Sequence, residues 1–328
     1  MTKSLIFVTR PIPNAGILAL EAEGYEVRMH PHDAIISRSA LLQGVFGCDA
    51  LLSLLTDKID AEVMEAAGPK LKIIANYAVG FDNVDLEEAR KRHITVTNTP
   101  APEAVEAVAE HTFGLLLALA HRIPEADAFT RSGNYTGWSP NLLLGVDVHH
   151  KTLGIIGSGR IGSAVAERAV KGFHMSCVYS DIKRDTAFEK TYDAQFLSFD
   201  SLLETTDFIS LHVPLLPATR HLISTEAFSL MKKGAFLINT SRGPVVDEKA
   251  LLRALKTERI AGAALDVYEC EPSIDCDLTD RLELRNFPNV ILTPHTASAT
   301  NEARQAMSLL AANNIIAVLS GKEPITSA

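Results

Sequence analysis

The sequence predicts an α/β protein with two doubly wound parallel sheets, and three observations indicate this fold. Apolar runs alternate with helical patterns over roughly the first hundred residues, and the same alternation resumes after residue 150. Between the two regions, a glycine-rich turn follows an apolar run and opens a helical pattern; it consists of Gly157, Ser158, Gly159, Arg160, Ile161 and Gly162. Strands that alternate with helices are typical of βαβ units, which build parallel sheets.

Length and composition set outer limits on the protein class. A chain of 328 residues exceeds the usual size of a single core, so two domains are expected. Apolar residues make up 47% and charged residues 22%, as in ordinary globular proteins. A net charge of −9 argues against a nucleic-acid partner. The longest strongly apolar stretch, Phe113–Ala120, is too short to span a membrane. We therefore expect a cytoplasmic protein with no nucleic-acid or membrane partner.

The first hundred residues contain the elements of a separate α/β domain. The expected strands are Leu5–Thr9, Ala50–Leu54 and Ile73–Asn76, and the expected helices are Asn14–Ala22 and Ala61–Ala67. Two prolines at positions 100 and 102 then precede a helical pattern over Glu103–His121. The second half of this helix is apolar on nearly all sides, so it must be buried either within one subunit or in a subunit interface.

The glycine turn has the context of a dinucleotide-binding fingerprint. It lies between the strand 152–156 and a helix predicted over Ile161–Val170. In the Rossmann fold, Gly157 would permit the tight turn, Gly159 the approach of a pyrophosphate, and Gly162 close packing of helix against strand. The phosphates would bind at the helix N-terminus. We assign all six residues of the turn to cofactor binding; a purely structural turn is the alternative.

An acidic residue follows the next predicted strand, Met175–Tyr179. Asp181 stands about 20 residues after the glycines, where a carboxylate accepts hydrogen bonds from the ribose hydroxyls of NAD. The same carboxylate would repel the 2′-phosphate of NADP. We therefore expect NAD, although the nearby Lys183 and Arg184 leave NADP as the less favoured alternative.

The rest of the chain continues the doubly wound pattern. The expected strands are Phe208–His212, Ala235–Asn239, Gly262–Asp266 and Val290–Thr293, and the expected helices are Ser224–Met231, Glu248–Leu255 and Glu302–Leu319. Ligands of such folds bind at the carboxyl ends of the strands. The residues that follow these strands are therefore the candidates for chemistry.

Three polar residues come shortly after the last three of these strands: Arg242, Glu271 and His295. Each alone has a structural interpretation, as a salt-bridge partner, a turn residue or a capped histidine. Together they form a catalytic set, because Arg242 can bind a carboxylate and polarise a carbonyl. His295 can donate or accept a proton near neutral pH, and Glu271 can orient its ring. A 2-oxo acid fits all three groups.

The chain resembles the D-isomer-specific 2-hydroxyacid dehydrogenases over essentially its full length. The matching segments are residues 76–85, the glycine turn, residues 212–215, 239–247, 266–272 and 293–295. The resemblance implies that Arg242, Glu271 and His295 are catalytic. It also implies that Val79 and Gly80 bind the substrate carboxylate with Arg242, and it assigns four further residues to the cofactor: Val213, Pro214, Thr240 and Asp266.

The resemblance also implies how the domains are arranged. A flavodoxin-like substrate-binding domain of residues 1–99 and 295–328 would receive a Rossmann domain of residues 100–294 as an insertion, and the cleft would close over the substrate. Relatives of this kind are typically homodimers through the nucleotide domain. In those that resemble glyoxylate and hydroxypyruvate reductases, an aromatic residue near Trp138 reaches the partner's active site; a core tryptophan is the alternative.

The substrate class follows from the segment Leu52–Asp57, which offers no cation for a phosphate before Lys58. We therefore expect a small unphosphorylated 2-oxo acid. The sequence Ser-Leu-Leu-Thr at residues 53–56 resembles that of glyoxylate and hydroxypyruvate reductases, and this resemblance implies glyoxylate or hydroxypyruvate as the substrate. Oxidoreduction of 3-phosphoglycerate or 2-ketogluconate is an alternative. A different class, an NADH-binding corepressor-like protein, also resembles this family and retains its catalytic residues.

The four cysteines, Cys48, Cys177, Cys270 and Cys276, show no CxxC spacing. Cys270 and Cys276 precede His295, but their spacing and the lack of further ligands argue against a metal site. We expect no metal and four reduced thiols.

Overall fold

The structure is a computed structural model that describes residues 3–271 and 283–327. The chain divides into two compact units, Met1–Ala104 with Ala299–Ala328, and Val105–Ser298. Each unit contains one sheet, and the strand pairs of the described residues all run parallel. The predicted α/β class with two doubly wound parallel sheets is confirmed.

The first unit has five strands in the order β2-β1-β3-β4-β5. They are Leu5–Val8 (β1), Glu26–Met29 (β2), Ala50–Leu54 (β3), Ile73–Tyr77 (β4) and Thr95–Thr97 (β5). The helices between them are Asn14–Ala22 (α1), Arg38–Val45 (α2), Ala61–Ala67 (α3) and Leu86–Lys91 (α4). The strand order reverses direction between β1 and β3, and ligands of open α/β sheets bind at the carboxyl end of such a switch point.

Two strands and two helices of this unit were not predicted: β2, β5, α2 and α4. The edge strand β2 has the sequence Glu-Val-Arg-Met and is only partly covered, so it contains no apolar run. The short helix α4 did carry a start signal, because the Asp85 side chain accepts a hydrogen bond from the Glu88 N–H at 2.9 Å. The missed elements are those whose burial is slight or whose length is short.

The second unit has seven strands in the order β12-β11-β10-β9-β6-β7-β8. They are Thr152–Ile156 (β6), Ser176–Ser180 (β7), Gln195–Phe196 (β8), Phe208–Leu211 (β9), Phe236–Asn239 (β10), Gly262–Leu265 (β11) and Val290–Leu292 (β12). The helices are Pro102–Ala120 (α5), Ile123–Arg131 (α6), Arg160–Glu167 (α7), Thr186–Tyr192 (α8), Phe199–Thr205 (α9), Thr225–Leu230 (α10) and Glu248–Lys256 (α11). This order is that of a Rossmann sheet, with its switch point between β6 and β9.

The sheet of the second unit is buried on both faces. Leu237 belongs to one apolar cluster, and its neighbours Phe236 and Ile238 belong to another. Successive side chains of a strand point to opposite faces, so the two clusters are the cores on the two sides of the sheet. Leu116 of α5 lies fully buried in the second cluster. The apolar half of α5 is therefore buried within its own unit.

The last helix, Asn301–Leu319 (α12), returns the end of the chain to the first unit. It packs so closely against α1 that a Cβ at Gly16 would lie 2.2 Å from the Ser308 carbonyl oxygen. The Ser308 hydroxyl accepts a hydrogen bond from the Gly16 N–H at 3.0 Å and donates one to the Pro13 carbonyl at 2.6 Å. A side chain from the end of the chain thus satisfies backbone groups at the start of α1.

Across the described ranges, the helices lack the combination of length and apolar character that crossing a bilayer requires.

Candidate active site

The carboxyl edge of the second unit's sheet collects the predicted cofactor and catalytic residues. Because the strands are parallel, their carboxyl ends lie on one edge. The glycine turn follows β6, Asp181 follows β7, Val213 and Pro214 follow β9, Thr240 and Arg242 follow β10, Asp266 and Glu271 follow β11, and His295 follows β12. Val79 and Gly80 follow β4 in the first unit.

The three glycines of the turn meet three different steric conditions. Gly157 has a φ of +97°, and a Cβ there would lie 2.7 Å from the His212 carbonyl oxygen. A Cβ at Gly162 would lie 2.1 Å from the Gly157 carbonyl oxygen, so this position sets how closely α7 approaches the turn. At Gly159, by contrast, a Cβ would meet open space. The first and third glycines are required by packing, and the middle one faces an open region.

The N-terminus of α7 is suited to an anion. Its cap is Gly159, which provides no side-chain hydrogen bond, and the first turn contains no acidic residue. The first N–H groups and the positive end of the helix dipole are therefore not compensated by a carboxylate from this turn. This arrangement, with the open region at Gly159, fits the pyrophosphate of a dinucleotide.

The Asp181 carboxylate is held against the glycine turn. It accepts hydrogen bonds from the Ser158 N–H at 2.8 Å, the Ser158 hydroxyl at 2.9 Å and the Ile182 N–H at 2.7 Å. Arg184 is one of the two cations because of which NADP was kept as the alternative cofactor. It forms two hydrogen bonds to Glu189, at 2.7 and 2.8 Å. The Asp181 carboxylate is thus fixed beside the glycine turn, while the Arg184 guanidinium is paired with the Glu189 carboxylate.

Two of the predicted cofactor residues after β9 and β10 have defined surroundings: Val213 lies beside the glycine turn, and Thr240 is buried against α5. The Val213 side chain would be 3.1 Å from a Cβ at Gly157. Thr240 is buried, and its hydroxyl lies 2.8 Å from that of Thr112. Desolvation of the His212 imidazole, which hydrogen-bonds Ser210 at 2.8 Å, lowers the pKa of His212 to about 3, so this ring is neutral.

His295 and Glu271 form a direct pair. The Nδ1 atom of His295 lies 2.6 Å from Oε2 of Glu271, and each side chain is 26% exposed. His295 has a φ of +56°, an uncommon backbone conformation for a residue with a Cβ. Because the carboxylate engages Nδ1, Nε2 is the ring nitrogen that can exchange a proton with a ligand.

The turn that carries His295 is held by Asp266. This fully buried carboxylate accepts hydrogen bonds from the Thr293 hydroxyl at 2.6 Å and from the N–H groups of Thr296 and Ala297 at 2.9 and 2.8 Å. Burial by itself raises the pKa of Asp266, but these bonds and His111 outweigh it and lower the pKa. Asp266 therefore stays ionised. It fixes the backbone directly after His295 and the side chain of Thr293, two residues before it. Its predicted contact with the cofactor stays a prediction.

His111 was not predicted as part of this site. It lies on α5, with Nε2 3.2 Å from the Thr293 hydroxyl oxygen and 3.6 Å from the Asp266 carboxylate. The only sequence signal was a titratable side chain at the start of the apolar half of the helix. Its proximity to Thr293 depends on how α5 packs against the sheet, and no local pattern contains that information.

Arg242 and Glu271 lie on two turns whose backbones touch. Asn239, the last residue of β10, shapes the first turn by donating to the Arg242 carbonyl at 2.9 Å and accepting from the Ser241 N–H at 3.0 Å. A Cβ at Gly243 would lie 1.8 Å from the carbonyl carbon and oxygen of Tyr268. Only glycine fits this contact, which sets the distance between the two turns.

The described residues contain no group of three or more histidines, cysteines or acidic residues placed to hold a metal ion. Cys48 and Cys177 are buried free thiols, and burial raises the pKa of each to about 12. Cys270 is disulfide-bonded, so the prediction of four reduced thiols is wrong at this position. Position 276 lies outside the described residues.

Comparison with known proteins gives consistent similarities. Residues 113–297 match the family described as "D-isomer specific 2-hydroxyacid dehydrogenase, NAD binding domain". The chain is 49% identical over 323 residues to a glyoxylate reductase from Korarchaeum cryptofilum, covering 98% of this chain and 95% of the relative.

Among the similar solved structures are two that contain bound ligands and act on 2-hydroxy or 2-oxo acids according to their names. D-lactate dehydrogenase from Aquifex aeolicus, complexed with NAD and lactic acid, has a TM-score of 0.86 at 31% identity and covers 97% of this chain and 96% of its own. The NADPH-dependent glyoxylate/hydroxypyruvate reductase from Sinorhizobium meliloti, in complex with citrate, has a TM-score of 0.82 at 30% identity, with 99% and 98% covered.

We expect Gly243→Ala to lower both stability and turnover. The added methyl group would overlap the Tyr268 backbone, so the turns that carry Arg242 and Glu271 must move apart, at a cost of about 1–3 kcal/mol for overpacking. Thermal unfolding and steady-state kinetics measure the two effects. Gly172→Ala is the control, because Gly172 is exposed and a Cβ there would meet open space. An unchanged melting temperature and kcat in Gly243→Ala would contradict this prediction.

Proposed function

The chain belongs to the D-isomer-specific 2-hydroxyacid dehydrogenase family, and from this premise we propose that it reduces glyoxylate or hydroxypyruvate to the corresponding 2-hydroxy acid. It is an oxidoreductase that acts on the CH–OH group. The observation that carries the substrate proposal is the His295–Glu271 pair, which follows β12 and β11. Arg242 follows the next strand, β10, on the edge that also bears the glycine turn. A relative named glyoxylate reductase supports the choice of substrate.

The proposed roles follow from the chemistry of the three side chains. Arg242 binds the substrate carboxylate and polarises the neighbouring carbonyl. His295 donates the proton from Nε2 to the carbonyl oxygen, while Glu271 holds Nδ1 and stabilises the imidazolium before transfer. When bound, the reduced nicotinamide supplies the hydride that the carbonyl carbon requires. The carbonyl thus gains one hydride and one proton and becomes a hydroxyl.

We propose NAD as the preferred cofactor. The support is the Asp181 carboxylate, which three hydrogen bonds hold beside the glycine turn and which would repel a 2′-phosphate. The pairing of Arg184 with Glu189 supports the same preference, because this cation would have to leave its partner to bind a phosphate. We propose that the second unit corresponds to the cofactor domain predicted over residues 100–294, and the first to the substrate domain predicted over residues 1–99 and 295–328. The units divide the chain a few residues later at each boundary, so His295 belongs to the second unit.

A small substrate is supported by the segment after β3. Asp57 is buried there, and Lys58 lies 3.9 Å from Asp60, so the segment offers no cation without an acidic neighbour. A phosphorylated substrate such as 3-phosphoglycerate would need one. The proposed role of Val79 and Gly80 in binding the carboxylate, and the expected cytoplasmic location, stay predictions.

A substrate panel tests the proposed function. Glyoxylate, hydroxypyruvate, pyruvate, 2-ketogluconate and 3-phosphohydroxypyruvate are each offered with NADH and with NADPH, and oxidation is followed at the nicotinamide absorbance. We expect the highest kcat/KM with glyoxylate or hydroxypyruvate and NADH. Preference for another acid would replace the proposed substrate. Binding of NADH without turnover of any acid would favour a corepressor-like protein.

We expect His295→Ala to lower kcat by at least about 10²-fold while the Kd for NADH stays the same, because the variant lacks the general acid. Both quantities are measured, by steady-state kinetics and by fluorescence titration. His93→Ala is the matched control: His93 also has a positive φ, of 57°, but it is exposed. Near-normal turnover in His295→Ala would remove this residue from the mechanism.

We also propose a homodimer through the segment Ile123–Val146. None of the nine residues of α6 is buried in the isolated chain. Six large apolar side chains of the segment are exposed: Ile123, Tyr135, Trp138, Leu142, Leu144 and Val146. A short helix without tertiary burial is only marginally stable, and a cluster of exposed apolar side chains marks an interface. Trp138 is 83% exposed, so it is not a core residue of the isolated chain. We propose that it contacts the partner subunit.

The dimer is tested by light scattering on the eluting protein. We expect twice the chain mass of 35.5 kDa for the wild type and a shift toward the monomer for the double variant Leu144→Lys, Val146→Lys. The control is Ile182→Lys, which places the same charge at an 88% exposed apolar residue outside the segment. A monomeric wild type, or a double variant that stays dimeric, would contradict the proposal.

A further inference from the structure

The loop after β4 is anchored through three successive carbonyl groups. The Ala78 carbonyl accepts a hydrogen bond from the Thr99 N–H at 2.8 Å. The Val79 carbonyl accepts one from the side-chain amide of Asn98 at 2.7 Å, and the Gly80 carbonyl one from that of Asn76 at 3.0 Å. Three consecutive peptide units are thereby held in one orientation by groups of the same unit.

The two asparagine side chains that act on this loop are themselves fixed. Asn76 is fully buried, and its Oδ1 accepts hydrogen bonds from Ser53 and Asn83, both at 3.1 Å. Asn83 in turn donates to the Leu54 and Asp57 carbonyls at 3.0 and 2.9 Å. The network therefore ties the loop after β4 to the end of β3, the neighbouring strand.

Asn98 is tied to the end of the chain. It is 9% exposed, and its backbone carbonyl accepts a hydrogen bond from the Thr326 hydroxyl at 2.7 Å. Thr326 is held in turn by Asn314 of α12, whose side-chain amide donates to the Thr326 hydroxyl at 2.9 Å. The donor that holds the Val79 carbonyl is thus supported from a second direction.

The N–H groups of the same peptides are left available. Within the described residues, the Val79 and Gly80 N–H groups have no hydrogen-bond partner, and both residues are half-exposed. Adjacent backbone N–H groups that face outward form a concave site for an anion. In a trans peptide unit, the carbonyl of one residue and the N–H of the next residue point in opposite directions. The held Ala78 and Val79 carbonyls therefore fix the direction of the Val79 and Gly80 N–H groups, and the held Gly80 carbonyl fixes the unit on the other side of Gly80.

We propose that Asn98 and Asn76 are positioning residues for the substrate carboxylate. Asn98 holds the Val79 carbonyl, whose peptide unit carries the Gly80 N–H, and Asn76 holds the Gly80 carbonyl in the next unit, so Gly80 is restrained on both sides and its N–H stays aimed at the anion. This inference rests on the proposed function, because it assigns the carboxylate of a 2-oxo acid to these donors. The two side chains do not touch the substrate. They reduce the conformational freedom that the loop would otherwise lose on binding.

The test compares Asn98→Asp and Asn76→Asp with the wild type. Each variant keeps the shape of the side chain but loses the amide hydrogens that bind the carbonyl. We expect the KM for glyoxylate and the Kd for oxalate to rise about three- to tenfold, as expected for one lost hydrogen bond, while the Kd for NADH stays within twofold. Oxalate binding to the NADH complex is measured by calorimetry and needs no turnover.

Asn289→Asp is the matched control, since the Asn289 amide also donates to a backbone carbonyl, that of Ala261 at 2.7 Å, in the second unit. It should lower the melting temperature without changing the Kd for oxalate. Asn98→Ala removes the donor without adding a buried charge, and it provides the measurement if Asn98→Asp fails to fold.

The outcomes separate the two proposals. A folded Asn98 or Asn76 variant with wild-type KM and wild-type Kd for oxalate overturns the positioning role and leaves the proposed function intact. A wild-type protein that binds oxalate but reduces no 2-oxo acid overturns the proposed function alone. A wild type that does not bind oxalate overturns both.

Discussion

The parallel alignment of β10, β11 and β12 is the constraint on which the candidate active site depends. Parallel strands end at the same edge, so residues separated by more than fifty positions in sequence, such as Arg242 and His295, follow strands with only one strand between them. The alignment itself depends on burial of both faces, since the strands of a parallel sheet are covered by helices on each side. The side chains of the site can then be polar, because stability comes from the apolar strand residues beneath them.

Fine positioning within the site is largely a matter of backbone contacts. Gly243 lets two turns approach until no Cβ would fit between them, and the buried Asp266 carboxylate holds the backbone that follows His295. In the first unit, Asn76 and Asn98 hold carbonyl groups of the loop after β4. In the last two cases the group that holds the backbone is a buried polar side chain hydrogen-bonded to protein. Such groups are rigid because leaving them unpaired is costly.

The pattern of apolar residues predicted a strand more accurately when that strand is buried in the interior of its sheet. The strands β3 and β10 lie in sheet interiors and their apolar runs predicted them almost residue for residue, whereas β2 lies at an edge and contains no such run. The helix predicted over Ile161–Val170 ends as an α-helix at Glu167 and continues as a π-helical turn over Arg168–Gly172. The helix-forming residues extend through that turn, so composition could not mark the change.

The sequence by itself determined the fold class, the glycine turn and the residue types that follow each strand, because these depend on local periodicity, on the steric freedom of glycine and on side-chain chemistry. Only the tertiary structure decided that Glu271 engages Nδ1 of His295, that Asp181 is held by Ser158, and that His111 lies beside Asp266. The same holds for Asn76 and Asn98, whose amides bind successive carbonyls of one loop. These contacts join residues far apart in the chain, and their geometry depends on how whole strands and helices pack, which no short segment encodes.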